Sequence, residues 1–226
     1  MTIAENCAIV QENISRAAKE AGRKGEDITL IAVTKYVSAD KIAQIIPCGI
    51  KNVGENRVQE LLEKHDFYKN SSFGIHFIGQ LQTNKVKYVK GRVKLIHSLD
   101  RLPLAQALDR IEPGTKQDVL IEVNIGSEPQ KGGVAPDELP AFAETLQPLS
   151  GIRVKGLMCV PPPCEEAEAR RYFTMLRELG EKLKAYDFPN VFMEELSMGM
   201  SGDYMSAVKE GATMVRIGTA LFGPRH

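Results

Sequence analysis

The sequence predicts a single α/β domain, a closed (β/α)8 barrel of the TIM type preceded by one extra helix. Eight short β-prone runs alternate with helical segments along the 226 residues, the pattern of βα units around a parallel sheet. Nearly every run ends in a polar or glycine-bearing cluster. In a barrel all eight strand ends face one mouth, so these scattered clusters converge there. At this length and 43% apolar content the chain buries a full core as one domain, residues 1–226. A doubly wound open sheet shares much of the pattern and is the competing architecture.

Residues 3–21 read as an amphipathic helix, with Ile3, Cys7, Val10, Ile14, Ala17 and Ala18 at helical spacing and Gly22 as its stop. The first strand, 28–35, is an apolar run that closes on one lysine. A strand buried on both faces has no use for a charge before its last residue, so Lys35 is expected at the carboxyl end. Ser38 reads as the N-cap of a helix over 38–47. The remaining strands are expected at 50–54, 73–79, 93–98, 117–124, 152–159, 191–197 and 212–217. Helices are expected near 57–69, 82–90, 101–111, 136–147, 165–185 and 201–210, joined by turns rich in Gly and Pro.

Composition narrows the function classes. The 29 basic and 29 acidic residues balance, and no basic stripe with interleaved aromatics is present, so nucleic acid and membrane surfaces are poor partners. The start, Met1 to Asn6, lacks the charged and apolar blocks of a signal peptide, and no window approaches the ~20 apolar residues of a membrane span. A cytoplasmic protein is expected. Cys7, Cys48, Cys159 and Cys164 show no CxxC spacing and read as reduced structural residues, not as a metal site or disulfide framework.

Two glycine-bearing turns follow the seventh and eighth strands: Ser197 to Asp203, leading into a helix that begins near Ser201, and Gly218 to Gly223. Backbone N–H groups at a helix start, glycines that admit close approach, and the hydroxyls of Ser201 and Thr219 together suit an anion. In such barrels this pair of turns is the usual place for a phosphate. If the sheet closes, strand eight pairs with strand one. The two-residue period then sets Met214, Arg216 and Gly218 on one face of strand eight, as it does Ile31, Val33 and Lys35 on strand one. An inward Arg216 near Lys35 favours a neutral, nucleophilic amine; the alternative is that Arg216 pairs with a carboxylate such as Glu122 or Glu195. An amine, a phosphate cradle and a cation between them fit pyridoxal 5′-phosphate, which needs a partner for its aldehyde, its phosphate and its pyridine nitrogen. His76 and His97 read as hydrogen-bonded core residues or, for His76, as pocket wall. The run Ser127 to Gly133 reads as a mobile lid or as an exposed loop without a role.

These stretches resemble the pyridoxal phosphate homeostasis proteins, the YggS/PROSC family, whose fold is the alanine racemase N-terminal barrel. The matching segments are Ala32 to Lys35, Gly54 to Glu60, His76 to Lys85, Ile96 to Asp100, Gly156 to Met158, Leu196 to Ser201 and Val215 to Thr219, in the family's order over essentially the whole chain. The resemblance implies that Lys35 holds the cofactor as a Schiff base and that Asn56 lies near the ring. It further implies that Ser201, Gly218 and Thr219 hold the phosphate, that Ser197 and Met200 line the pocket, and that Arg216 faces the pyridine nitrogen. An arginine there keeps that nitrogen unprotonated and weakens the ring as an electron sink.

Relatives with racemase or decarboxylase activity carry a second, β-rich domain, for which a chain ending at His226 leaves no room. The expectation is therefore a non-catalytic carrier that binds pyridoxal phosphate and delivers it, transiently meeting apo-enzymes, acting as a monomer and affecting amino-acid and keto-acid balance indirectly. An amino-acid racemase or related lyase is the alternative. A phosphosugar-type barrel enzyme without the cofactor is a third.

Overall fold

The computed structural model describes residues 1–111 and 114–224; Arg225 and His226, on which the expectation about the chain's end rests, lie outside the described residues. Eight parallel strands close on themselves in sequence order. They are β1 (Thr29–Val33), β2 (Asn52–Glu55), β3 (Gly74–Phe77), β4 (Leu95–Leu99), β5 (Gln117–Val123), β6 (Ile152–Cys159), β7 (Val191–Ser197) and β8 (Met214–Ile217). The expected barrel is thus present and the open sheet is not. Closure comes from β8 pairing with β1, with Arg216 opposite Ile31 and Ile217 opposite Ala32.

Two apolar regions follow from the alternation of strand side chains. Ile31, Leu95, Leu120, Met158 and Met214 fill the barrel interior. The opposite faces pack against the surrounding helices in one larger core. Gly156 lies where the β6 register shifts, and a Cβ there would fall 1.8 Å from the Glu195 carbonyl oxygen.

The helices are shorter than the sequence suggests. They are α1 (Ile3–Glu20), α2 (Ala39–Ala43), α3 (Val58–Glu63), α4 (His65–Lys69), α5 (Leu102–Arg110), α6 (Leu139–Leu146), α7 (Glu166–Lys184), α8 (Tyr204–Lys209) and α9 (Thr219–Phe222). The helix expected over 57–69 breaks at Lys64 (φ −95°, ψ 3°), whose ammonium turns inward to Glu55 at 3.0 Å. The segment expected to be helical near 82–90 is a 3-10 turn over Thr83–Tyr88. The helix expected from Ser201 starts at Tyr204, after a turn over 201–203.

The N-terminal helix has a capping box, in which Thr2 Oγ1 accepts from the Glu5 amide and Glu5 Oε2 accepts from the Thr2 amide. Gly22, at φ +70°, follows its end. Its buried stripe of Cys7, Val10, Ile14, Ala17 and Ala18 packs beside α8 and α9. Asn6 Nδ2 donates to the Leu221 carbonyl at 2.9 Å, and Asn13 Nδ2 to the Tyr204 hydroxyl at 3.0 Å. The extra helix therefore braces the flank from which the turns after β7 and β8 emerge.

Gly156→Ala places a methyl against a backbone oxygen that the barrel cannot move cheaply. It is expected to cost at least the ~1–3 kcal/mol of an overpacked core, read as a lower urea midpoint at unchanged m.

Candidate functional site

At the carboxyl ends of the strands lies a cleft of about 400 Å³, lined by Val33, Lys35, Asn56, Ile78, Val160, Met200, Ser201, Gly202, Arg216, Gly218 and Thr219. Its size suits a small ligand, for which pockets of ~300–1,000 Å³ are ordinary. Seven of the eight residues expected at the site line it; Ser197 does not. Wider grooves exist beside α3, about 760 Å³, and between α6 and α7, about 710 Å³, but neither gathers those residues.

Lys35 is partly buried and sits two residues beyond β1, not on it. Thr34 still pairs with β2, its amide donating to the Gly54 carbonyl at 3.0 Å. The turn then passes through Tyr36 at φ +61°, a left-handed conformation unusual for a bulky residue. Asn56 follows β2 directly. Its carbonyl is approached so closely by Gly79 that a Cβ there would lie 2.0 Å away.

The two turns expected to hold an anion are tied to each other. Ser201 Oγ accepts from the Gly218 amide at 3.3 Å and from the Ala220 amide at 3.2 Å. Ser201 therefore does not cap α8. That place belongs to Asp203, whose Oδ1 accepts from the Met200 amide at 2.6 Å. Thr219 is exposed, Gly218 is buried, and Met200 stands at the rim with 39% of its surface accessible.

Arg216 is buried beside this cradle. Its Nη1 donates to Ser197 Oγ at 2.6 Å and its Nη2 to the Cys159 carbonyl at 2.9 Å. Among the described residues no carboxylate lies within ion-pair distance of it, so the pairing with Glu122 or Glu195 considered from sequence does not form. Glu122 accepts instead from Gln80 Nε2 at 2.6 Å, and Glu195 from the Thr213 hydroxyl at 2.5 Å. Burial lowers the Arg216 pKa below the ordinary arginine value. Burial, reinforced by Asp100, raises that of Glu122 to about 7.

Behind Arg216 a hydrogen-bonded chain crosses the barrel. Ser197 Oγ lies 2.9 Å from His97 Nδ1, His97 Nε2 lies 2.9 Å from His76 Nδ1, and His76 Nε2 lies 3.2 Å from Asn52 Oδ1. Arginine only donates and an amide oxygen only accepts. With one N–H on each neutral ring, the protons run from Arg216 through Ser197, His97 and His76 to Asn52. His76 is fully buried and belongs to this chain, not to the pocket wall. Burial pushes its pKa down to about 3. His97 falls well below the ordinary value through burial, with the charges of His76 and Arg216 adding.

The 127–133 loop is tethered. Asn124 Oδ1 accepts from the Glu128 amide at 3.1 Å, Lys131 Nζ donates to the Pro161 carbonyl at 3.3 Å, and Val134 bridges to Val123. Gly132 packs on Gln80, leaving no room for a Cβ.

The parallel barrel is of the class found at the N-terminus of alanine racemases. The family model described as "Alanine racemase, N-terminal domain" matches residues 6–226. Within that class, the chain belongs to the family of pyridoxal phosphate homeostasis proteins. It is 46% identical to the member from Aquifex aeolicus over all of this chain and 99% of that one. It is 40% identical to the member from Escherichia coli K12, over 99% of this chain and 97% of that one. PipY of Synechococcus elongatus, solved with pyridoxal phosphate bound, superposes with a TM-score of 0.85 at 33% identity, covering 98% of this chain and 100% of that one. An alanine racemase from Corynebacterium glutamicum shares the fold at TM-score 0.71 and 16% identity, and the chain spans 59% of its length.

Stability should follow these shifted groups. His76 and His97 have folded pKa values below the unfolded value of 6.5, so the unfolded chain binds more protons and stability falls as pH drops below about 6.5. Glu122 has the opposite sign. Its folded value is raised from 4.5 to about 7, so its contribution is present at low pH and fades as pH rises through 7. For these three groups the balance gives a maximum near the ordinary histidine value of 6.5. Urea titrations across pH check it. Both ring signals should stay in the neutral form between about pH 8 and about pH 5 by NMR.

Proposed function

We propose that this protein binds pyridoxal 5′-phosphate as a Schiff base on Lys35 and serves intracellular homeostasis and delivery of that cofactor. The observation that carries the reading is the donor set of the cleft. One primary amine, one guanidinium with no carboxylate within ion-pair distance, the Ser201 and Thr219 hydroxyls and the Gly218 turn stand around a single small volume. They meet the three polar ends of the cofactor: aldehyde, pyridine nitrogen and phosphate. The family membership and the pyridoxal phosphate bound to PipY support the same assignment.

In this reading Lys35 anchors the aldehyde carbon, and Asn56 lies beside the ring with Met200 at its edge. Gly218, Thr219 and Ser201 would hold the phosphate, the Ser201 and Thr219 hydroxyls being able to donate to it. Arg216, fixed by Ser197 and the Cys159 carbonyl, directs a remaining N–H at the pyridine nitrogen. Ser197 acts through Arg216 instead of lining the pocket. When bound, the cofactor supplies an electrophilic carbonyl and an electron-withdrawing ring. A permanent cation at the ring nitrogen keeps that nitrogen unprotonated and the ring a weak electron sink.

The lining also supports a carrier over a racemase or lyase. Among the described residues that line the cleft, no Asp, Glu, His, Cys or Tyr side chain stands beside Lys35 and Arg216. Racemisation needs proton transfer on both faces of a carbon, hence a second acid or base. The barrel, residues 1–226, is read as one pyridoxal phosphate-binding unit, monomeric and cytoplasmic, whose partners beyond the cofactor are apo-enzymes met transiently.

Borohydride reduction of the protein incubated with pyridoxal phosphate, followed by peptide mapping, should give one phosphopyridoxyl adduct, on Lys35. Lys35→Ala should abolish it, and an adduct on Lys85 or Lys131 instead would remove the assignment. Incubation of the loaded protein with L- or D-alanine should leave the optical rotation unchanged; sustained racemisation would remove the carrier reading.

A further inference from the structure

The polar cluster behind Lys35 is separate from the cleft. Glu55 is fully buried and accepts from the Thr34 hydroxyl at 2.7 Å, the Tyr68 hydroxyl at 2.5 Å and Lys64 Nζ at 3.0 Å. Lys64 also pairs with Glu60 at 3.3 Å, one helical turn earlier. Neither charge of this i,i+4 pair is a solvated surface ion, since each side chain is at most 13% exposed. Burying ions is costly unless mutual attraction and hydrogen bonds compensate.

What they touch is the backbone on both sides of Lys35. Lys64 Nζ donates to the Thr34 carbonyl at 2.7 Å, an oxygen of the peptide unit that enters Lys35. Glu60 Oε2 accepts from the Tyr36 amide at 2.7 Å, the N–H of the peptide unit that leaves it. Two peptide planes define the φ and ψ of the residue between them. The helix break at Lys64 lets the ammonium reach inward, and the held turn continues into Tyr36 at φ +61°.

We infer that Glu60 and Lys64 are positioning residues for Lys35, a two-point clamp on its flanking peptides that aims its side chain into the cleft. The inference rests on the reading of Lys35 as the anchoring amine. Without the clamp the turn keeps the Val37 amide on the Thr34 carbonyl at 3.0 Å and Arg57 over the Tyr36 ring. It loses the two side-chain contacts on the peptides that flank Lys35, so the amine can shift. Misplacing a reacting group by about 1 Å costs as much as ~100-fold in rate, so loss of one anchor point should be visible kinetically before it is visible in the fold.

The test uses cofactor-free protein and the variants Glu60→Ala, Glu60→Gln and Lys64→Met. In Glu60→Ala, hydrogen exchange at the Tyr36 amide is expected to quicken, and adduct formation at Lys35, trapped with borohydride, to slow, each roughly tenfold. Glu60→Gln keeps an oxygen for the Tyr36 amide and should recover most of both. Lys64→Met removes the ammonium from the Thr34 carbonyl, leaving the Val37 amide at 3.0 Å as its donor, and should slow the adduct as Glu60→Ala does. The clamp is overturned if folded Glu60→Ala or Lys64→Met reacts at Lys35 within about twofold of the parent. It is equally overturned if Glu60→Gln is as impaired as Glu60→Ala, since the ion pair and not the backbone contact would then matter. Should Glu60→Ala fail to fold, Lys64→Met and Glu60→Gln give the same contrast. An adduct on a different lysine in the parent would defeat the Lys35 assignment, while Tyr36 exchange would still judge the clamp.

Discussion

Arg216 holds a permanent charge where there is almost no water, and much of the barrel interior is arranged around that fact. A buried guanidinium without a carboxylate is costly unless its donors find oxygens. Two find them in Ser197 and the Cys159 carbonyl. Because Arg216 donates to Ser197, the Ser197 proton is free to go to His97, and the direction passes on to His76 and Asn52. Either ring, if protonated, would add a second buried cation to the chain and would have to donate on both sides, reversing one of its bonds. Burial and neighbouring charge therefore keep the rings neutral, and their neutrality keeps Arg216 from being repelled. The guanidinium is thus left with N–H groups for the cleft and, among the described residues, no carboxylate within ion-pair distance, Glu122 and Asp203 acting on it only from farther away.

Closure of the sheet makes that charge useful. The β1–β8 pairing sets Arg216 across from Ile31, and the chain continues four residues past Ile31 to Lys35. It likewise brings the turn after β8 next to the turn after β7, where Ser201 ties them. Two cations that face one small cleft stay apart only if neither can swing freely. Arg216 is held from below by Ser197, and Lys35 from behind through its own peptide planes. Holding Tyr36 in a left-handed conformation costs on the order of 1–3 kcal/mol, which a surrounding network must offset. The buried Glu55–Lys64–Glu60 cluster is that network's most rigid part.

The barrel and most of the cleft were legible because they depend on patterns that sequence carries directly: β-prone runs, their spacing, and the polar residues at their ends. The parity argument placed Arg216 and Lys35 correctly, although β1 stops at Val33 and leaves Lys35 in a turn. The helix after β7 is expected to begin near Ser201 but begins at Tyr204, because the Ser201 hydroxyl accepts from amides 17 and 19 residues away, partners that local sequence does not show. Ser197 was placed in the wall for a related reason: sequence shows a strand end but not which neighbour absorbs its hydroxyl. The period of two does put His97 on the face of Leu95, which marks it as interior, yet its link to His76 needs the stagger between strands. Glu60 and Lys64 look like any exposed i,i+4 pair. Nothing local tells that the helix breaks at Lys64 so that its ammonium can turn inward to Glu55 and the Thr34 carbonyl.

The same arrangement separates holding a cofactor from using it. An enzyme that moves protons at a substrate carbon gathers acids and bases around that carbon and tunes them near neutrality. Here the strongly shifted groups sit elsewhere. His76 and His97 are driven out of the working pH range and sealed in the core. Glu122, which titrates near 7, is committed to Gln80 under the 127–133 loop. The cleft itself keeps one exchangeable amine, a cation that does not titrate, and neutral hydroxyl and amide donors. Such a lining binds an aldehyde and a phosphate firmly by geometry while offering little to drive carbanion chemistry. The proposed role, reversible custody of a cofactor, rests on a positioned lysine in chemically simple surroundings.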